Sequence, residues 1–228
     1  MNTGVGDCVD LGWKFAAVLH GWGDPRLLDS FEPERRPIGM HNVTEAGEMR
    51  AGFDSQIPFS PLLEEESEEG KKLRTKAREA ILRTRAKEFQ HDSAGIELGY
   101  RYENSPICVA DGTPPPPDDH AIYTPTTWPG ARAPHAWLDD GRSTLDLFGR
   151  GFVLLVLSSK TADISAFTSA AKRVGLPLEV VSLDEAKVRE VYERPLVLVR
   201  PDGHVAWRGD SAPADAAEII ERVRGAGA

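Results

Sequence analysis

The residues whose types and spacing invite chemistry stand at the start of the chain, in MNTGVGDCVDLGWK. Gly4-Val5-Gly6 opens an apolar helical run and so resembles part of a dinucleotide fingerprint, but the third glycine is missing and no strand precedes it. Read from pattern alone, the segment is a helix start whose glycines permit a tight turn. The two cysteines, Cys8 and Cys108, lie one hundred residues apart, too few for a disulfide framework or a thiolate zinc site. His20, His41, His91, His120, His135 and His204 share no metal-ligand spacing, and Ser158-Ser159 does not sit in a Gly-x-Ser-x-Gly elbow. His135, beside Pro134 and Trp137, fits packing better than acid–base work. No catalytic side chain and no metal site is therefore expected.

The elements that would position these residues fall into two unlike halves. The 228 residues carry 36 Asp plus Glu against 27 Lys plus Arg, a net charge of −9 that argues against nucleic acid as a partner. No basic stretch with an apolar run opens the chain and no apolar segment is long enough to span a membrane, so a reducing cytoplasm is the expected compartment. Val5, Val9, Gly12, Ala16 and Leu19 recur at helical spacing, predicting a helix over 5–19 that stops at Gly21 and Gly23. Asp24-Pro25 supplies an N-cap and a first-position proline for a second helix through Leu27, Leu28 and Phe31, which Pro33 or Pro37 should interrupt or end. A third helix is expected from Ile38 to about Phe53. After the acidic run 64–69, a basic helix to about Phe89 should turn Leu73, Ala77, Ile81 and Phe89 inward and leave its charges solvated; a docking face for an acidic partner is the alternative.

Four prolines, Pro114 to Pro117, rule out helix and central strand, so 99–148 reads as an extended connector. Beyond Gly149 the chain alternates: strand 152–157, helix 163–174, strand 178–183, helix 185–192, a hairpin of 196–199 and 204–208 about Pro201-Asp202-Gly203, and helix 214–223. This β-α-β-α-β-β-α order resembles the thioredoxin fold. The resemblance implies that the Arg194–Pro195 bond is cis, because such domains place a cis-proline ahead of this hairpin. Thioredoxin chemistry needs a thiolate at the start of the helix after the first strand. Residues 157–163 read LSSKTAD there, so disulfide exchange is not expected.

Resemblance carries further at both ends. Residues 1–19, Leu27-Leu28-Asp29-Ser30-Phe31-Glu32 and Glu34-Arg35-Arg36-Pro37 are similar to the FAD-dependent aromatic hydroxylases, above all the phenol and chlorophenol monooxygenase branch. So are Gly99-Tyr100-Arg101-Tyr102, Asp111-Gly112-Thr113-Pro114, residues 125–132 and residues 199–208. The resemblance implies an α/β chain in three parts: a helical remnant of the FAD-binding domain over 1–98, the connector over 99–148, and a C-terminal thioredoxin-like domain over 149–228. It also implies that Met1, Asn2, Thr3 and Gly4 meet the pyrimidine edge of the flavin, mainly through main-chain N–H groups. A helix start favours the negative charge that gathers there on reduction. The family uses NAD(P)H and O2 to ortho-hydroxylate phenolic aromatics, and its ADP-binding βαβ unit lies upstream of this turn, outside the sequence. The chain is thus expected to be a truncated or split part of such an enzyme, inactive alone, that pairs with the missing FAD-binding half or with a homodimer partner. A non-catalytic thioredoxin-like dimerisation or partner-binding module is the alternative.

Overall fold

A computed structural model describes residues 2–56, 60–87, 93–157 and 163–227. Helix α1 spans Asn2–Leu19, a 3-10 turn follows over Pro25–Ser30, and α2 runs over Phe31–Gln56. After a second 3-10 turn at Pro61–Glu64 come α3 (Glu68–Lys87) and the short α4 (Ala94–Leu98). The C-terminal part holds β1 (Phe152–Val156), α5 (Ser165–Val174), β2 (Leu178–Ser182), α6 (Ala186–Tyr192), β3 (Leu196–Val199), β4 (Val205–Gly209) and α7 (Ala216–Val223). The sheet order is β2-β1-β3-β4, with β1 and β2 parallel and β3 antiparallel to both of its neighbours. The expected thioredoxin-like alternation is the observed one.

Three details differ from the sequence-based expectations. First, α1 begins at Asn2, so Asn2, Thr3 and Gly4 form the first helical turn rather than a loop leading into it; Met1 and the expected helix end at Phe89 lie outside the described residues. Second, neither Pro33 nor Pro37 ends a helix, and α2 is continuous. Pro33 stands in the first turn, where an N–H has no helical partner; Pro37 gives up only its bond to the carbonyl of residue 33. Third, the Arg194–Pro195 bond is trans, as no cis peptide occurs among the described residues. Here Glu193 reverses the chain at the end of α6 with φ of 62°, and the Arg194 N–H bonds the Tyr192 carbonyl at 2.6 Å. Its carboxylate is held by the Arg208 guanidinium at 2.5 Å and the Thr127 hydroxyl at 3.1 Å, which keeps a non-glycine residue in the left-handed region.

Strict alternation splits the sheet into two covered faces. Phe152, Leu154, Val156, Leu196 and Leu198 point to one side, where they meet Phe167 of α5 and Ile219, Ile220 and Val223 of α7. Val153, Leu155, Val197 and Val199 point to the other, against Val188 and Tyr192 of α6 and Ala133 and Leu138 of the connector. The first core also takes in Trp13 and Ala17 of α1, then Trp22 and Leu27. Trp13 stacks on Trp22 with centroids 6.4 Å apart, and both rings meet Phe152 edge-on. The N-terminal helices and the sheet are therefore joined through shared apolar contacts. Further ties come from the Asp24 N–H to the Arg224 carbonyl at 2.8 Å and Arg26 to the Ala226 carbonyl at 2.5 Å.

The apolar repeat of α1 faces outward. Val5, Val9 and Leu19 are exposed, as is Phe15, while the buried residues are Asp10, Trp13, Lys14 and Ala17. In α3, Ala77 and Ala80 are buried and Ile81 is turned outward. Two substitutions on α1 test which face is buried. Trp13→Ala should cost about 3–5 kcal/mol, whereas Phe15→Ala, two residues on, should change stability by less than about 0.5 kcal/mol, both read from urea denaturation midpoints.

Candidate functional site

Two charged clusters position α1. The larger is fully buried, although charged residues are rarely so unless paired. Lys14 Nζ lies 2.7 Å from Asp10 Oδ2, one turn back, and 2.6 Å from Glu34 Oε2 on α2. Arg200, at the end of β3, reaches Glu34 Oε1 at 2.6 Å, Asp10 Oδ1 at 3.1 Å and Asp202 Oδ2 at 2.6 Å. Its guanidinium stacks between the rings of Trp13 and Tyr102, with centroids 5.2 and 5.1 Å away. Ser105 donates to Glu34 at 2.5 Å, and His204 packs on Tyr102 at 4.4 Å. One guanidinium from the hairpin thus grips both N-terminal helices.

Three carboxylates face two cations in this cluster, and the imbalance falls on Asp10. Burial, reinforced by the Glu34 charge, raises Asp10 to about 6 against the pull of Arg200 and Lys14. For Asp202 and Glu34 burial also acts upward, but Arg200 overrides it; both are held below the usual carboxylate range. Burial pushes up the thiol of Cys108, 3.7 Å from Arg200 Nη1.

The second cluster sits on the first turn of α1. Arg35 of α2 is 4% exposed. Its Nε donates to Asp7 Oδ1 at 2.8 Å, Nη2 to the Thr3 carbonyl at 3.2 Å and Nη1 to the Tyr102 hydroxyl at 3.3 Å; its charge lies over the Tyr100 ring at 5.5 Å. Asn42 Nδ2 donates to Thr3 Oγ1 at 3.1 Å. Gly6 leaves the space, since a Cβ there would stand 2.7 Å from Arg35 Nη2. Gly4, by contrast, faces open space. No acidic residue occupies the first turn of α1, to which Asn2, Thr3 and Gly4 belong. Asn2 and Gly4 are exposed. The first-turn N–H groups of a helix stand at its positive end, which suits an electron-rich acceptor edge.

The remaining sequence-predicted positions are spread apart. Cys8 is exposed on α1 and Cys108 is buried in the connector; Ser158–Ala162 lie outside the described residues. The family-like Asp111-Gly112-Thr113 is anchored by Arg208, whose Nε meets Asp111 Oδ2 at 2.7 Å and whose Nη2 meets Thr113 Oγ1 at 3.1 Å. His135 bonds Ser143 at 2.7 Å and packs edge-on against Trp137. Among the described residues no group of His, Cys, Asp and Glu could hold a metal ion. Sequence reasoning missed Arg35, Asn42 and the charge cluster, although Asp10 and Lys14, one turn apart in an apolar helix, signalled a buried pair.

Residues 1–46 match the family model described as "FAD binding domain", and residues 126–227 match that described as "Aromatic-ring hydroxylase, C-terminal". The chain belongs to the FAD-dependent aromatic-ring hydroxylases. Among solved structures of this family, 99% of the chain aligns with 42% of the rebeccamycin biosynthetic enzyme RebC with reduced flavin, at 41% identity and a TM-score of 0.83. The flavin-dependent monooxygenase PieE, in complex with FAD and substrate, aligns over 99% of this chain and 44% of its own, at 34% identity and a TM-score of 0.80. Among curated hydroxylases, the FAD-dependent monooxygenase apdD of Emericella nidulans is 40% identical over 99% of this chain and 38% of its own length. Phenol 2-monooxygenase of a Pseudomonas species is 32% identical over 94% of this chain and 40% of its own. The chain therefore spans about two-fifths of the hydroxylases it matches.

The raised Asp10 carboxyl gives this hydroxylase segment a pH signature. Its folded-state value of about 6 exceeds an ordinary aspartate's, so the folded chain binds the extra proton, and that stabilisation is lost as pH rises from about 4 to 6. Replacing Asp10 by Asn should remove this limb. Denaturation midpoints of wild type and Asp10→Asn should diverge across the window, with wild type losing on the order of 1–2 kcal/mol relative to the variant.

Proposed function

We propose that this chain is the part of a flavin-dependent monooxygenase that closes the pyrimidine side of the flavin, in an enzyme that ortho-hydroxylates phenolic aromatics with NAD(P)H and O2. The observation that carries this reading is the match of residues 1–46 to an FAD-binding domain, together with the Arg35 bond to the Thr3 carbonyl in the first turn of α1. When bound, FAD would supply the reduction by NAD(P)H and the activation of oxygen. The chain's own part is to present N–H donors to a developing negative charge and to keep water out from one side.

Apolar side chains along α1 and α2 favour a complementary half as the partner. Val5, Val9, Phe15 and Leu19 of α1 are exposed, as are Met40 and Val43 of α2, the last two at 64% and 73%. Soluble monomers seldom leave such stripes uncovered. The chain alone is inactive on this account, because the described residues offer no cradle for the ADP moiety. A second reading, a non-catalytic dimerisation module, draws on the same exposed side chains.

Titration with FAD, followed by flavin fluorescence and by phenol-dependent NADPH consumption, tests the proposal. The isolated chain should bind no stoichiometric FAD and turn over no phenol. Adding the N-terminal three-fifths of a relative such as the Pseudomonas phenol 2-monooxygenase as a separate polypeptide should restore FAD binding. Stoichiometric binding and turnover by the chain alone would sink the idea of an inactive segment, and a stable homodimer indifferent to the added half would favour the dimerisation module.

A further inference from the structure

Arg35 makes three directed contacts at the start of α1. It bonds the Thr3 carbonyl and the Asp7 carboxylate, the two ends of the first full turn of α1, and on its far side the Tyr102 hydroxyl. In a helix the Thr3 carbonyl already accepts the N–H of residue 7, so Arg35 occupies its second lone pair. Asn42, two turns along the same helix, fixes the Thr3 side chain. Tyr102 is shared by both clusters, its hydroxyl on Arg35 and its ring on Arg200.

We propose that Arg35 is the positioning residue of the flavin-facing helix start. Its guanidinium staples the first turn so that the amides of Asn2, Thr3 and Gly4 keep one direction, and it adds positive charge behind them. This rests on the reading that the helix start meets the flavin. The planar fork is essential: one ammonium cannot span the Thr3 carbonyl, the Asp7 carboxylate and the Tyr102 hydroxyl together. Gly6 belongs to the device, because a methyl at 2.7 Å from Nη2 displaces the fork without removing its charge.

Hydrogen exchange of the full chain tests the staple without any flavin. Amides of Gly6 to Val9, which close the first turn, should exchange about tenfold faster in Arg35→Lys and in Gly6→Ala. Gly12→Ala serves as the control; its Cβ would face open space in the same helix, and exchange should not accelerate. In complex with the complementary half, the same two variants should weaken FAD binding about tenfold and shift the flavin absorbance maximum, with lysine failing to rescue arginine. Unchanged exchange in both variants overturns the staple. Faster exchange with wild-type FAD affinity and spectrum overturns its role toward the flavin. If the wild-type complex bound no FAD while exchange still accelerated, the reading of the helix start would fall and the staple would stand.

Discussion

A guanidinium removed wholly from water dictates much of this structure. Arg200 has no exposed surface, and at that position it is tolerable only if anions converge on it. They come from three places: Asp202 in its own hairpin, Asp10 on α1 and Glu34 on α2. Lys14 then ties Asp10 to Glu34, so the cluster cannot be completed unless both helices lie against the hairpin. Removing one member would leave an unpaired buried charge, which typically costs more than the pair contributes.

This constraint sets how α1 is turned about its axis. Asp10 and Lys14 occupy one face, and Trp13 and Ala17 beside them fill the core shared with the sheet. The opposite face carries Val5, Val9, Phe15 and Leu19 outward. The same rotation brings Thr3 and Asp7 under Arg35 and leaves the Gly4 side of the first turn open. A thioredoxin-like domain without the cysteine pair thus has a mechanical part to play, since through Arg200 it holds the helix whose tip is the candidate flavin contact.

Much of the fold was legible in the sequence, for definite reasons. The continuous run Phe152–Val156 and the turn Pro201-Asp202-Gly203 each admit few structures, and both are where the pattern put them. Which face of α1 is buried was not legible in the helical period, because Val5, Val9 and Leu19 satisfy it as well as a buried stripe would, and hydrophobicity alone does not separate a core from an exposed apolar surface. The trans bond before Pro195 was not legible either, because the chain reversal it serves is made by Glu193, held by Arg208 and Thr127 from distant segments. For the candidate site, Asn2 to Gly4 were singled out by resemblance, whereas Arg35 and Asn42 reach them only after α2 folds back across α1.

Buried charge turns α1 so that its apolar face is exposed in this chain, and Cys8 reports on that face directly. Its thiol is exposed on that face while Cys108 is buried beside Arg200. With a thiol-specific chromogenic reagent under native conditions, the chain alone should show one fast-reacting thiol, Cys8, which becomes protected when the complementary half is added; Cys108 should react only on unfolding. A Cys8 as protected as Cys108 in the isolated chain would contradict the account.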